Sequence, residues 1–211
     1  YKSTSLATEL TAALPHLKSV KGINSKLLLG GPAWEVCGEA DLIISTTGNW
    51  QIEELLNELQ QEGKLPPVQF AWLEAHAAAA HSVIVNGQGS CLQCGMGPAG
   101  QPYRPVTQWP ANGLVQVPAC GGMFSPYGAS ELTYAHALVA EHALDHLLGQ
   151  VEKPSQYRVW IGRTAQWGPL GGEISHAWLE TYGDPGPGGR TMVQEWPHDP
   201  DCPVCKRRLA A

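Results

Sequence analysis

Residues 40–63 read ADLIISTTGNWQIEELLNELQQEG, and two hydrophobic periods meet inside that stretch. Leu42, Ile43 and Ile44 form a short apolar run that gives way to small polar residues. That is the pattern of a buried parallel strand whose carboxyl end opens into a loop, where open α/β sheets bind ligands. From Trp50 onward Ile52, Leu55, Leu56 and Leu59 recur at helical spacing, and Gly63 stops the helix. Strand, polar turn and amphipathic helix in succession predict an α/β protein.

Outward from this stretch the pattern continues. Upstream, Leu6, Leu10 and Leu14 mark a helix with Ser3 or Thr4 as its cap and Pro15 as its stop, followed by the apolar run SKLLLGG at 25–31. Downstream, VQFAWLEA (68–75) and HSVIVNG (81–87) read as strands. The HAAAAH between them has helical propensity over too short a span to form a helix alone. ASELTYAHALVAEHALDHLLG (129–149) is the clearest helix, with Leu132, Ala135, Leu138, Val139, Ala143 and Leu147 on one side and Gly149 at its end. YRVWIG (157–162), SHAWLETYG (175–183) and TMVQEW (191–196) are expected strands. The order predicts half of an open α/β sheet carrying an appendage. Tryptophans 160, 167, 178 and 196 are expected to pack that appendage.

Bulk properties narrow the function. A formal net charge of -6 and no basic stripe argue against nucleic acid. No apolar run approaches the ~20 residues of a membrane span, and the first residues lack the apolar stretch of a signal peptide. A reducing, cytoplasmic location is the expectation. The chain has 211 residues, enough for a sizeable core, and its 24 glycines and 17 prolines fall mostly at 86–128 and 149–201.

Six cysteines stand at 37, 91, 94, 120, 202 and 205, four of them in two C-x-x-C pairs, CLQC and CPVC. Each pair can bring two thiolates to one tetrahedral ion at ~2.3 Å, and two pairs complete a closed structural zinc site. Such a site would fasten the tail HDPDCPVCKRR (198–208), which has no core of its own, to the loop at Cys91 and Cys94. The long separation weakens the site only logarithmically. Disulfides suit an oxidising compartment, and a redox pair is usually single and opens a helix. Cys37 lies between Glu35 and Glu39, whose charges would raise its thiol pKa. Cys120, in ACGGMFSPYG, has no carboxylate near it in sequence and precedes a helix, whose positive end favours thiolate. His142 and His146 share a helical face with Glu141 and Asp145 and are expected to be solvated. His76 and His81 are expected to be structural.

The order of these features resembles the adenylyltransferase family that contains ThiF, MoeB and the ubiquitin-activating enzymes. YKSTSLATELTAALPHL looks like the family's lysine-led helix, and ADLIISTTGNWQIEELLN like its strand, T-D-N turn and following helix. GSCLQC and DCPVC look like its paired zinc cysteines, and ACGGMFSPYGASELTYAHALVAEHALDHLLG like its acceptor-cysteine loop and helix. The resemblance implies a fold class of α/β type: the carboxyl-terminal half of a Rossmann-like adenylation domain over 1–150, and a zinc-clamped β-rich appendage over 151–211. It implies ATP and magnesium as cosubstrates, with Lys2 on phosphate and Thr46, Gly48 and Asn49 lining the nucleotide site. Zinc would sit on Cys91, Cys94, Cys202 and Cys205.

In that family a carrier protein's C-terminal carboxylate attacks the α-phosphate of ATP, and a cysteine then displaces AMP. Cys120 is the corresponding acceptor nucleophile. The Trp-rich appendage is most similar to the activating domain of bacterial CBASS antiphage-defence fusions. The expected partners are therefore a ubiquitin-like carrier or a cyclic-nucleotide synthase terminus, a conjugating-enzyme domain and a second copy in a homodimer. Two departures stand out. The magnesium-holding aspartate of T-D-N is Gly48 here, and the glycine-rich phosphate loop is expected in a missing amino-terminal half. A sulfur-carrier adenylyltransferase of thiamine or molybdopterin type is one alternative. A non-catalytic zinc-clamped binding module, favoured by Gly48, is the other.

Overall fold

The computed structural model describes residues 2–27, 30–110, 115–116, 123–124, 126–150 and 156–209. Two compact units appear, Tyr1–Ala40 and Asp41–Ala211. In the first, α1 (Lys2–Ala13) begins at Lys2, so neither Ser3 nor Thr4 is its cap. Thr8 and Thr11 turn their hydroxyls back onto the carbonyls of Thr4 and Ala7. A second helix, α2 (Pro32–Gly38), has proline in its first turn, where a missing N–H costs nothing. Cys37 is half-buried there, and burial raises its thiol pKa. Two residues of the SKLLLGG run, 28 and 29, lie outside the described residues.

The second unit runs β1 (Ile43–Ser45), α3 (Trp50–Gln61), β2 (Val68–Leu73), β3 (Ala79–Val85), β4 (Thr107–Gln108), β5 (Val115–Gln116), β6 (Met123–Phe124), α4 (Ala129–Leu147), β7 (Gln156–Ile161), α5 (Thr164–Trp167), β8 (Glu173–Ile174), α6 (His176–Tyr182), β9 (Arg190–Glu195) and α7 (Pro203–Leu209). Its main sheet has the order β1-β2-β3-β7-β9. Only β1 and β2 pair in parallel, with α3 as the crossover between them; the other neighbours are antiparallel. The protein is thus mixed α/β. The strands expected in an appendage after residue 150 are instead the fourth and fifth strands of this sheet, so a boundary at 150 would run through the sheet's own unit.

Three elements differ from the sequence expectation. First, β1 is a parallel strand but an edge one, with Ile44 47% exposed. Second, β2 and β3 form a hairpin turned at Ala75–Ala77, where His76 and Ala77 have φ of 55° and 46°. Left-handed backbone is uncommon for residues with a Cβ, and no glycine marks the turn in sequence. Third, SHAWLETYG is a helix. The Ser175 side chain caps α6 by accepting from the Trp178 N–H, and the Trp178 and Tyr182 rings meet at 4.5 Å one turn apart. Trp178 is fully buried, so the periodicity that matters is four, not two.

Strand alternation gives the sheet two faces. On one, α4 packs Ala135 and Leu138 over Ala80, Trp160 and Leu73, and the Tyr134 ring stacks on Trp160 at 4.9 Å. The other face carries Trp72, His81 and Tyr157, joined by Trp178, Tyr182 and Trp196. Tryptophans 160, 167, 178 and 196 are all buried, as expected.

The expectation that His142 is solvated is corrected. It points inward from α4, is fully buried, and its Nδ1 meets the Ser82 hydroxyl at 2.8 Å. Ser82 in turn accepts from Gln69 Nε2 at 2.8 Å, which also donates to the Val139 carbonyl. Burial first, then the positive charges of Arg158 and His146, push the His142 pKa down to about 3. An unfolded histidine titrates near 6.5, so below that pH the unfolded state binds the extra proton and the folded state does not. Stability should therefore fall as pH drops from about 6.5 toward 3, by a few kcal/mol in all. Urea unfolding across that range should show this loss for wild type and a flatter profile for His142→Gln; identical profiles would remove His142 as the cause.

Candidate metal centre and cavity

The two C-x-x-C pairs meet. All four Sγ atoms lie within 4.8 Å of one another and all four cysteines are buried. Cys91 and Cys94 are 3.9 Å apart, Cys91 and Cys202 3.5 Å, and Cys94 and Cys205 3.5 Å. Four sulfurs at ~2.3 Å from a tetrahedral ion would be separated by roughly 3.8 Å. A disulfide needs sulfurs at about 2.05 Å, and all four thiols are free. The donor set and spacing could hold a metal ion and are compatible with structural zinc.

Local backbone explains why the sulfurs converge. Cys91 is the extended residue before the tight turn Leu92–Gly95, closed by Cys94 N–H to Cys91 O at 3.2 Å. In the tail, Cys202 N–H reaches Asp199 O at 3.1 Å and Lys206 N–H reaches Cys202 O at 3.0 Å, which places Cys202 just before α7 and Cys205 in its opening turn. The framework around the first turn comes from three places. Asn57 on α3 accepts from the Leu92 N–H at 2.9 Å; Trp196 Nε1 donates to the Cys91 carbonyl at 2.9 Å; and Gly95 lies flat against the Trp196 indole, where any Cβ would enter the ring. The Cys91 thiol hydrogen-bonds to Cys94, holding its own proton and lowering Cys94 to about 5, while burial pushes Cys205 up to about 11. A bound dication would displace the remaining protons.

A second site lies on the α4 side of the sheet, past the carboxyl end of β1. A cavity of about 390 Å³ opens there between Thr46 and Gly48, the strand residues Ala71, Leu73 and Ala80, and Leu132, Ala135, His136 and Val139 of α4. Its walls are mostly apolar, and none of the described residues lining it is acidic. Gly48 turns the chain there with φ of 61°, a left-handed conformation glycine adopts without strain. Asn49 has a different place: its side chain accepts from the Ile52 N–H and caps α3. Lys2 is an exposed residue of the first unit. Cys120 lies outside the described residues. The sequence reading did not anticipate Asn57, Trp196 or Gly95 around the sulfurs, although a glycine directly after CLQC was a usable signal. Compared with models of known protein families and with curated proteins, the chain matches none. Among the described residues no helix is long and apolar enough to cross a membrane.

Proposed function

We propose that this chain is the carboxyl-terminal part of a ubiquitin-activating-type adenylyltransferase. Cys91, Cys94, Cys202 and Cys205 hold structural zinc, and Cys120 is the thioester acceptor. The observation that carries the reading is the cavity: two residues matched by sequence to the nucleotide turn, Thr46 and Gly48, line it at the carboxyl end of the parallel strand. That is where α/β sheets hold ligands, and its size falls in the range of small-molecule sites. Its apolar walls suit the faces of a purine. The sulfur cluster supports the same reading, because it ties together the chain on either side of the segment that contains Cys120.

In this mechanism a carboxylate oxygen of the carrier's C-terminus attacks the α-phosphorus of ATP. The bond to pyrophosphate breaks, and an acyl adenylate forms. The Cys120 thiolate then attacks the acyl carbon, the bond to AMP breaks, and a thioester remains. The described cavity residues do not fit a magnesium site: Gly48 offers no side chain and no lining residue is a carboxylate. The cavity therefore offers apolar surface for a purine and no acidic ligand for a cation. The product thioester is handed to a conjugating cysteine.

The test uses the complete polypeptide with a carrier protein ending in glycine. Carrier-dependent ATP–pyrophosphate exchange is expected, together with a thiol-labile adduct that passes to a conjugating cysteine. Cys120→Ser should keep the exchange and lose the adduct. An adduct that never reaches a second cysteine would favour a sulfur-carrier adenylyltransferase. Absence of carrier-dependent exchange would leave a zinc-clamped binding module, the reading that Gly48 favours.

A further inference from the structure

Another cavity, of about 720 Å³, opens where β7 begins and β9 ends. Gly89 and Ser90 before the metal turn, Thr181 and Tyr182 closing α6, and the chain from Gln194 to His198 bound it. Its charge comes from Arg104, which is half-buried. The guanidinium Nε donates to the Thr181 hydroxyl at 3.1 Å, and among the described residues no acceptor meets its two terminal nitrogens. The backbone before Arg104 is tied to the metal turn: the Tyr103 N–H donates to the Gly95 carbonyl at 3.0 Å, and Pro102 bridges to Met96. A narrow crevice of about 10 Å³ shares Arg104, Tyr182, Trp196 and Pro197 with this cavity and adds Trp72, Tyr157 and Gly95. Trp72 brings a second unmet donor. Its Nε1–H is buried and finds no acceptor among the described residues.

These donors decide what the cavity suits. A buried N–H without an acceptor costs free energy that a ligand oxygen would recover. The Tyr182 hydroxyl is already committed, since it donates to the Glu195 carbonyl at 3.1 Å. Glu195 is the acidic residue at the rim, but it pairs with Gln156 while Gln194 pairs with Tyr157. Strand alternation therefore sends the Glu195 side chain to the α4 face, away from the aromatic one. What remains is a guanidinium fork and an indole N–H set against aromatic and proline surface. The complement is a planar head that only accepts hydrogen bonds, carried on an apolar body. A carboxylate meets the fork with both oxygens. Phosphate would meet the fork but gain nothing from the rings.

We propose that this cavity binds a carboxylate: Arg104 holds its two oxygens, the Trp72 indole N–H supplies a further hydrogen bond, and Tyr182, Trp196 and Pro197 cover the apolar group that carries it. The site is independent of the adenylyltransferase reading, whose cavity shares none of its lining residues. Two sources offer this chemistry, a peptide carboxyl terminus ending in a large apolar residue and a free organic acid. The volume falls in the range of small-molecule sites and admits either.

The experiment titrates the full chain and follows the Trp72 and Arg104 side-chain N–H signals by NMR. The probes are phenylacetate, the peptide acetyl-Ala-Ala-Phe with a free carboxyl terminus, the same peptide as its terminal amide, and inorganic phosphate. Both signals should shift saturably with a carboxylate probe, and the amide should bind about tenfold more weakly than the free-acid peptide, or worse. Arg104→Gln should weaken the acids by about tenfold or more and erase the difference between acid and amide; Arg104→Lys, which keeps the charge without the fork, should fall between. Trp72→Phe keeps a ring, loses the N–H, and should weaken the acids by about threefold or more. A peptide that binds more tightly than phenylacetate identifies a peptide terminus as the source, and the reverse order identifies a free acid. Equal affinity for acid and amide peptides, phosphate binding as tightly as the acids, or no shift with either acid at millimolar concentration would overturn the site. Wild-type affinity in both Arg104→Gln and Trp72→Phe would overturn it as well.

Discussion

Cys202→Ser is expected to release the carboxyl-terminal turn and destabilise the second unit by several kcal/mol. Cys202 and Cys91 are 111 positions apart in sequence, and their sulfurs lie 3.5 Å apart in the fold. Tying two points so distant removes on the order of 4–5 kcal/mol of freedom from the unfolded chain by loop-closure reasoning. A structural zinc site can contribute more, because binding free energy is then folding free energy. Serine keeps the size but is a poor zinc ligand, and three remaining sulfurs cannot close the site. The melting temperature should drop by about 10 °C or more, given roughly 2–4 °C per kcal/mol for a protein of this length. Chelation of wild type should reproduce the loss, and added zinc should reverse it for wild type only. A melting curve unmoved by both treatments would mean that the four sulfurs are merely packed together.

Gly95→Ala should come second in size, although it changes no ligand. A Cβ at 95 would occupy the space of the Trp196 indole. That indole is held by its bond to the Cys91 carbonyl and by edge contacts with Trp72 and Tyr157, at 5.9 and 5.1 Å between ring centroids, so moving it would break that bond and those contacts. Overpacking typically costs 1–3 kcal/mol, and the Cys91 carbonyl would lose its partner as well, so about 3 kcal/mol is expected. The distinctive consequence is at the metal: groups that orient ligands typically govern affinity by 10–100-fold. Competition with a chromophoric chelator should show zinc leaving Gly95→Ala at least tenfold more readily, while Trp196 fluorescence shifts. Unaltered affinity would show that the turn tolerates a displaced indole.

How far the sequence carried depended on whether the decisive signal was local. The convergence of the four cysteines was legible because two C-x-x-C spacings state their geometry at any separation along the chain. Residues 40–63 were legible for the same reason, since a polar turn between two hydrophobic periods is complete in itself. Both strands of the β2–β3 hairpin were legible, but its turn was not, because it is made by His76 and Ala77 in left-handed conformations within a run of alanines that suggests helix. SHAWLETYG misled because its apolar residues fit either period; the Ser175 cap and the Trp178–Tyr182 contact decide it, and both lie within the segment, so the serine was a usable helix-start signal. His142 could not be read from α4 alone. Its burial is set by Ser82 and Gln69 on two other strands. Asn49 illustrates a competing demand: the residue matched to a nucleotide turn is also a strong helix cap, and in the fold its side chain caps α3.

The most direct measurement is zinc content per chain, followed by X-ray absorption at the zinc edge, on protein purified without chelator. One zinc per chain with four sulfur neighbours at about 2.3 Å is the expected result. Protein with no metal and four thiols open to titration, or a zinc bound by nitrogen and oxygen, would contradict the zinc clamp.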